Sequence, residues 1–405
     1  MQRRDVIVVG GGPVGMTQAL ALRRFAPSLD VALIEQRPLA PPKDLRATAI
    51  SAGVSSVFRA LGIWEAMEGE AEPVAAMKIT DSGGADIFRP VYLGFEGEVA
   101  PGKPFAHMIP NGVIAAALIE AIGEAGVKII APDSVAAFAP HKDRTALTLK
   151  SGAVEEALLV VAADGGRSAL REMAGIATDE YDYRQSGIVA TIAHELPHAG
   201  TAWEHFLPSG PFASLPLRGN RSSLVWTERS EDAERLKALD AEALAHQIEA
   251  RMGSHLGKVS LEGGVQVFPL RRVIASSMTG PRLALAGDAA HVIHPLAGQG
   301  LNLGITGIAA LAEITIAAFR NGEDIGAPSV LARYESWRRF PVMRMAAVTG
   351  GLNRLFSNDN APLRALRDFG LGVVDRLPPV KNFMIGEAAG LARASSPALT
   401  RGEAI

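Results

Sequence analysis

Near the start of the chain, Gly10-Gly11-Gly12-Pro13-Val14-Gly15 satisfies the spacing G-x-G-x-x-G, and the carboxylate of Glu35 follows twenty residues after Gly15. Residues of this kind bind a dinucleotide. Gly10 permits a tight turn, Gly12 lets backbone approach a pyrophosphate, and Gly15 lets a helix pack closely on a strand. Pro13 and Val14 would begin that helix, whose free N–H groups and partial positive charge attract phosphate. Glu35, with Gln36 beside it, can accept hydrogen bonds from an adenosine ribose. A carboxylate there favours FAD or NAD over NADP, whose extra phosphate it repels.

Downstream segments favour the flavin. Leu283-Ala-Leu-Ala-Gly287-Asp288-Ala289-Ala290-His291 is an apolar strand running into Gly-Asp-Ala, where Asp288 can hold a ribityl hydroxyl. Pro295-Leu-Ala-Gly298-Gln299-Gly300-Leu301-Asn302-Leu303-Gly304 is a glycine-rich turn opening a long apolar helix. Its first N–H groups would face the N1/C2-carbonyl edge of an isoalloxazine, where negative charge develops on reduction. A third apolar strand ends in Asp164-Gly165, followed by Ser168 and Arg171. Arg46 lies in a short segment running from Asp44 to Ser51. Taken singly, an Asp-Gly after a strand is more often a plain turn, and Arg46 is an ordinary surface arginine.

These residues need elements to hold them. Asp5 to Val9 and Val31 to Ile34 are apolar without alternation, as strands of a parallel sheet covered on both faces are. With a helix from Pro13 to Phe25 between them they form a βαβ unit. A helix over Asn111 to Glu124 leads into a short strand at Val127–Ile130, and apolar strands recur at Leu158–Ala162 and Leu283–Ala286. From Gln185 to Glu228 the pattern changes to short stretches (187–194, 202–207, 212–217 and 222–227) separated by Pro, Gly and Asn, which suggests antiparallel sheet. Helical character returns over Asp240–Met252 and strongly after Gly300. The expected fold is α/β: a Rossmann-like FAD-binding domain with an inserted antiparallel-sheet substrate domain and a helical C-terminal tail. The expected boundaries are 1–75, 100–182 and 268–335 for the FAD domain, 76–99 and 183–267 for the substrate domain, and 336–405 for the helical C-terminal region.

Composition narrows the function. The chain has 405 residues, 48% of them hydrophobic and 20% charged, with a net charge of −3. It has no global basic surplus to neutralise phosphates, so nucleic acid is not an expected partner. With no cysteine at all, disulfides, thiolate nucleophiles, iron–sulfur clusters and zinc-thiolate sites are excluded; a reducing cytoplasm is the simple reading and no metal is expected. The N-terminus lacks a secretory h-region. The longest apolar stretch, Ile305 to Phe319, carries Glu313 and is shorter than a bilayer span of about 20 residues.

In combination and order, the Gly10–Gly15, Arg46, Asp164-Gly165 and Gly287–Gly304 segments resemble the group A FAD-dependent aromatic hydroxylases, the p-hydroxybenzoate hydroxylase superfamily. His291-x-x-His-Pro295-Leu-Ala-Gly-Gln-Gly-Leu-Asn-Leu-Gly304 is similar to the flavin signature of the ubiquinone-biosynthesis branch (UbiH/UbiF/VisC type). Phe206 to Leu217, followed by Ser223-Leu-Val-Trp226-Thr, resembles that branch's substrate-domain sheet. The resemblance runs to about Tyr334. It implies that Gly10, Gly12, Gly15 and Glu35 bind the ADP half of FAD and that Arg46 reaches the pyrophosphate and flavin. Asp164 and Gly165 would sit between FAD and the pyridine nucleotide, Asp288 would hold the ribityl chain, and Pro295 with Gly298, Gln299, Gly300, Leu301 and Asn302 would line the isoalloxazine.

The activity so implied is hydroxylation of the aromatic ring of a polyprenylated phenol, with NADH or NADPH as a transient reductant and O2 as oxidant, through a C4a-hydroperoxyflavin. Other chemistries on the same scaffold stay open: a soluble phenol hydroxylase, an epoxidase, a prenyl reductase, or a non-catalytic flavin-binding organiser of a biosynthetic complex. No motif identifies a general base. His205 and His294 are candidates, with His291 behind them, although histidines at such places are more often structural. Phe206, Leu215, Pro216 and Trp226 are candidate walls of the substrate pocket, with ordinary sheet core as an equal reading. Residues 331–405 hold eleven basic against six acidic residues, and an apolar stripe runs through Leu363, Leu366, Gly370, Val373, Val374 and Leu377. Either the stripe packs on its own domain, or it makes a peripheral contact with the inner membrane or a partner of the complex. The expected location is cytoplasmic.

Overall fold

The strand Gln2–Val9 lies at the middle of a parallel sheet and is fully covered over Val6, Ile7 and Val8. It pairs with Val31–Ile34 on one side and with Val154–Ala162 on the other. Lys128–Ile130 extends the first side and Leu283–Leu285 the second, all parallel. The computed structural model describes residues 2–43, 46–81, 91–96, 98–100, 103–360 and 396–405, with single positions at 377, 379, 386, 389 and 390. Unbroken Val, Ile, Leu and Ala suit such strands because neither face meets water. The helices Pro13–Phe25, Asn111–Glu124 and Gln299–Arg320 cover the sheet, the first packing against both others. Val154–Ala162 changes neighbour along its length. Its start takes the antiparallel strand Thr145–Leu149, and its end takes Leu283–Leu285.

A second, eight-stranded sheet gathers chain from four places. In order it contains His291–Val292, Val259–Ala275, Thr178–His194, Arg221–Arg229, Gly210–Leu217, Thr201–Leu207, Ala76–Asp81 and Val91–Glu96. The expected antiparallel stretches are there, each somewhat longer than its apolar part. Val259–Ala275 was not expected from sequence, because Gly263-Gly264 and Pro269 break its pattern. The register shifts opposite these glycines, between Val189 and Thr191, and a bulge of this kind bends a long strand without ending it. A small sheet of Glu72–Val74, Ala106–Pro110 and Ala47–Ser51 lies between the two large ones.

The two faces of the second sheet have different company. Ile188, Ile192, Leu207, Phe212, Leu224 and Trp226 form a core with the helices Ser230–Lys237 and Ala241–Met252. The alternate residues, Ala202, Leu215 and Leu217 among them, meet the small sheet. Gln299–Arg320 has 22 residues and is long and apolar enough to cross a membrane, longer than the sequence reading allowed, but it is largely buried in the protein core. The long helix Pro328–Phe356 follows it. Apart from Leu377, the apolar stripe expected between 363 and 377 lies outside the described residues.

Candidate active site

In an open parallel sheet, ligands bind beyond the carboxyl ends of the strands, where connections leave in opposite directions. Here four adjacent strands end at Val9, Ile34, Ala162 and Leu285, and the segments after them carry Gly10–Gly15, Glu35, Asp164-Gly165 and Gly287-Asp288. All four open toward one cavity of about 800 Å³. Its walls include Gly12, Pro13, Val14, Glu35, Arg46, Gly165, Asp288, Pro295, Gly298, Gly300 and Leu301, so residues far apart in sequence share one surface. Asp164 and Gly287 lie just behind this lining. So do Gln299 and Asn302, and Gln36 is exposed outside it.

The three motif glycines are required for different reasons. A Cβ on Gly10, whose φ is +116°, would lie 2.2 Å from the Ala163 carbonyl oxygen, and one on Gly15 would lie 2.0 Å from that of Gly10. Both positions are closed by the protein's own backbone. A Cβ on Gly12 would meet no atom within 4 Å. Gly12 is bare toward the cavity, as a site for a bulky ligand must be. It is also the N-cap of Pro13–Phe25, which has no side-chain cap and no acidic residue in its first turn. Gln299–Arg320 begins in the same way at Gly298 (φ +63°), again without cap or acid. Ser51, Ser168 and Asp240 each cap the helix that follows them, whereas the helices after Pro110, Arg229 and Ala327 also begin without a side-chain cap. Two uncapped helix N-termini therefore aim partial positive charge into one cavity.

Polar side chains complete the surface. Glu35 accepts a hydrogen bond from the Gly11 amide at 2.7 Å and another from the Arg37 amide at 3.1 Å, which fixes the carboxylate against the glycine turn. Asp164 accepts from the Leu170 amide through Oδ2, and its buried Oδ1 has no partner among the described residues. Asp288, itself exposed, turns its side chain into the cavity, where partial desolvation by the cavity walls raises its carboxyl pKa. Arg46 stacks its guanidinium over the Phe268 ring at 5.3 Å. The Asn302 side chain is spent internally: it accepts from the Ser51 amide at 2.9 Å and donates to the Ala49 carbonyl at 2.8 Å, tying the helix start to the small sheet. An anionic dinucleotide with a polar ring edge fits this set, because the orphaned Asp164 oxygen, the bare glycine and the uncapped amides all need partners. FAD has those groups.

The second sheet forms the opposite wall through Glu204, Pro211, Ala213, Leu215, Val225 and Thr227. Register corrects four expectations here. His205 faces the other way, with Phe212 and Trp226, and its Nδ1 lies 2.6 Å from Thr80 Oγ1. Trp226 belongs to the far core, and Pro216 shares the face of Phe212 by alternation. Phe206 is on the near face but stacks on Phe356 at 4.0 Å instead of lining the cavity. Leu215 does line it. Since successive residues of a strand point oppositely, Leu215 and Pro216 cannot both do so. Stepping back in twos from Leu215 would have found Ala213 and Pro211.

His294 lines the cavity and is wholly buried, with neither ring nitrogen partnered among the described residues; burial lowers its pKa to about 4, so it is neutral. Asn111 and Thr48, bonded to each other at 2.7 Å, also line the cavity and carried no sequence signal. Glu204 carried none either. It is buried, and burial pushes its carboxyl up to about 8.

Comparison with known proteins agrees with this architecture. A family model described as "FAD binding domain" matches residues 3–349. The ubiquinone hydroxylase UbiL of Rhodospirillum rubrum is 41% identical over 404 residues, covering 98% of this chain and 92% of the relative. The 3-demethoxyubiquinol 3-hydroxylase of Escherichia coli is 34% identical, covering 96% and 99%. Among solved structures, the p-nitrophenol 4-monooxygenase PnpA of Pseudomonas putida superposes with a TM-score of 0.79 over 97% of this chain and all of its own, at 19% identity, a likeness of fold. With its cofactor-ready cavity and these relatives, the chain belongs to the FAD-binding-domain family of flavin-dependent monooxygenases, on the ubiquinone-hydroxylase branch.

Proposed function

We propose that this enzyme hydroxylates the aromatic ring of a polyprenylated phenol on the way to ubiquinone, drawing electrons from NADH or NADPH, which binds transiently, and oxygen from O2. The observation that carries the proposal is the 41% identity to a ubiquinone hydroxylase along nearly the whole chain. The two-walled cavity supports it, being polar on the nucleotide side and largely apolar on the sheet side.

In this reading Gly10, Gly12, Pro13, Val14 and Gly15 with the first helix amides hold the pyrophosphate, and Glu35 the ribose. Arg46, Asp164, Gly165 and Asp288 hold the middle of the cofactor. The amides after Gly298 face the ring edge that gains charge on reduction. When bound, FAD supplies the electron transfer and oxygen activation that no side chain here can. The protein's task is to orient the phenol ring and exclude water, which Ala213, Leu215 and Val225 do with apolar surface. The test is NAD(P)H oxidation by purified, FAD-loaded enzyme. A short-chain polyprenylphenol should stimulate it at least tenfold more than a simple soluble phenol and yield hydroxylated product. Equal stimulation by both would point to a soluble-phenol hydroxylase.

We also propose that the protein is cytoplasmic and touches the inner membrane through its C-terminal region, from which a polyprenyl substrate must be drawn. On Pro328–Phe356 the side chains of Phe340, Met343 and Val348 are 70%, 45% and 49% exposed, with Arg344 and Arg354 exposed beside them. Apolar residues flanked by arginine suit an anionic lipid surface. Phe340→Glu should weaken co-sedimentation with anionic vesicles roughly tenfold at unchanged flavin content. Binding equal to wild type would remove this helix from the contact.

A further inference from the structure

Glu204 has no evident structural employment. It is 4% exposed on the strand Thr201–Leu207, and its carboxyl, which opens onto the cavity, makes no hydrogen bond or ion pair with the described residues. Its directly opposed neighbours are Ala213 and Ile79, and the next residues on its face are Ala202 and Phe206. An isolated buried carboxyl of this kind costs stability, and a polar group so placed without a partner calls for an explanation. Its side chain lines the cavity on the apolar wall, across from Pro295, Gly298 and His294 at the mouth of the helix Gln299–Arg320.

We propose that Glu204 is the catalytic base of the reaction, receiving the hydroxyl proton of the bound phenol ring. This rests on the ring-hydroxylation reading above. The O–H bond breaks, the proton passes to a carboxylate oxygen of Glu204, and the electron pair stays on the ring oxygen. That makes the ring a better nucleophile toward the oxygen delivered from O2. No electrons are exchanged in this step; NAD(P)H and O2 account for the oxidation that follows. Geometry selects Glu204 over the histidines: His205 faces the far side of the sheet, and His291, buried where His291–Val292 pairs with Val259–Ala275, is absent from the cavity wall. His294 reaches the cavity from the opposite wall, but burial lowers its pKa to about 4, which makes it too weak a base for a phenol.

The setting matches the task. A carboxylate in water is far too weak a base for a phenol, whose pKa is near 10, whereas one raised to about 8 lies within roughly two units of it. Burial alone raises it. On its own face the nearest ionisable group is Asp81, opposite Phe206 on the neighbouring strand. On the facing side of the small sheet Ala47, Ala49, Val74, Ala106 and Met108 are apolar, and Glu72, half-buried opposite Met108, is the ionisable residue there. Across the cavity the ionisable groups are His294, Asp288, Arg46, Glu35 and Arg37.

The test uses FAD-loaded enzyme, a short-chain polyprenylphenol and the isosteric variant Glu204→Gln. In wild type, kcat/KM for product should rise tenfold per pH unit and level near pH 8, because only the ionised carboxylate accepts a proton. The variant should lose this limb and make product about 10²–10⁴-fold more slowly. Its flavin content and its Kd for the phenol should stay within about threefold, and Glu204→Asp should restore part of the limb. A second readout needs no turnover. A carboxyl raised by folding stabilises the protein fully below its unfolded pKa, 4.5, and that stability is lost as pH rises through 8. The Tm of wild type relative to Glu204→Gln should therefore fall across this window. A variant with wild-type rate and pH limb, or a Tm difference independent of pH, overturns the proposal. If wild type itself hydroxylates no phenol, the functional reading falls with it; if only the pH limb survives in the variant, the functional reading stands and Glu204 is dismissed.

Discussion

Gly12→Ala should give a folded, colourless protein. The added methyl group would meet no protein atom within 4 Å, so nothing in the polypeptide has to move. Gly12 is an N-cap with φ −76° and ψ 172°, backbone that alanine adopts without strain. The methyl instead occupies the cavity wall where a pyrophosphate must come into contact with the first amides of Pro13–Phe25. Displacing that contact by even part of an ångström removes several charge-assisted hydrogen bonds. We expect FAD affinity to fall by at least 100-fold, about 2.7 kcal/mol. The loss should be visible as missing absorbance near 450 nm in protein whose circular dichroism and thermal melt match wild type. Gly10→Ala and Gly15→Ala should behave differently, because their methyl groups meet backbone oxygen at 2.2 and 2.0 Å and would yield little soluble protein. A Gly12→Ala protein with full flavin content would show that the pyrophosphate lies elsewhere.

That contrast illustrates what the sequence could and could not reveal. The βαβ start was legible because its strands are apolar throughout and its helix is bounded by Gly12-Pro13 and the Ala26-Pro27 exit, so Pro13–Phe25 and Val31–Ile34 fall at the expected residues. The segments after the strand ends were legible because glycine and aspartate there interrupt apolar runs. What alternation decides was not. Residues 206 to 227 contain apolar side chains on both faces, since one face packs on helices and the other on the small sheet and the cavity. Neither face reads as polar, and the sequence gives no phase by which to separate them. Glu204 was hidden for a similar reason: one carboxylate among Trp203, His205 and Phe206 resembles a surface residue until the strand's neighbours on both sides are known. Val259–Ala275 was hidden by its bulge glycines, which in isolation signal a turn.

The phase of that sheet can be tested by substituting neighbours. Trp226 and Val225 are adjacent, yet Trp226 is 1% exposed in the core with Phe212, Ile188 and the helix Ala241–Met252, while Val225 lines the cavity. The Trp226 indole also donates to Glu228 at 3.0 Å, and Arg251 covers its ring at 4.5 Å while pairing with Glu228. Trp226→Ala removes a large buried side chain and a satisfied donor together, so it should cost about 3–5 kcal/mol in denaturant unfolding. Trp226→Phe, which keeps the ring but loses the N–H, should cost about 1–2 kcal/mol. In either variant the folded enzyme should keep its flavin and its KM for the phenol, since no atom of the cavity changes. Val225→Phe should do the reverse. The added ring projects into the chamber opposite the flavin-facing residues, so unfolding should shift by less than about 1.5 kcal/mol while product formation falls at least 100-fold and FAD stays bound. Were Trp226→Ala to abolish substrate binding at unchanged stability, the two faces of the sheet would have to be exchanged, and with them the position of Glu204.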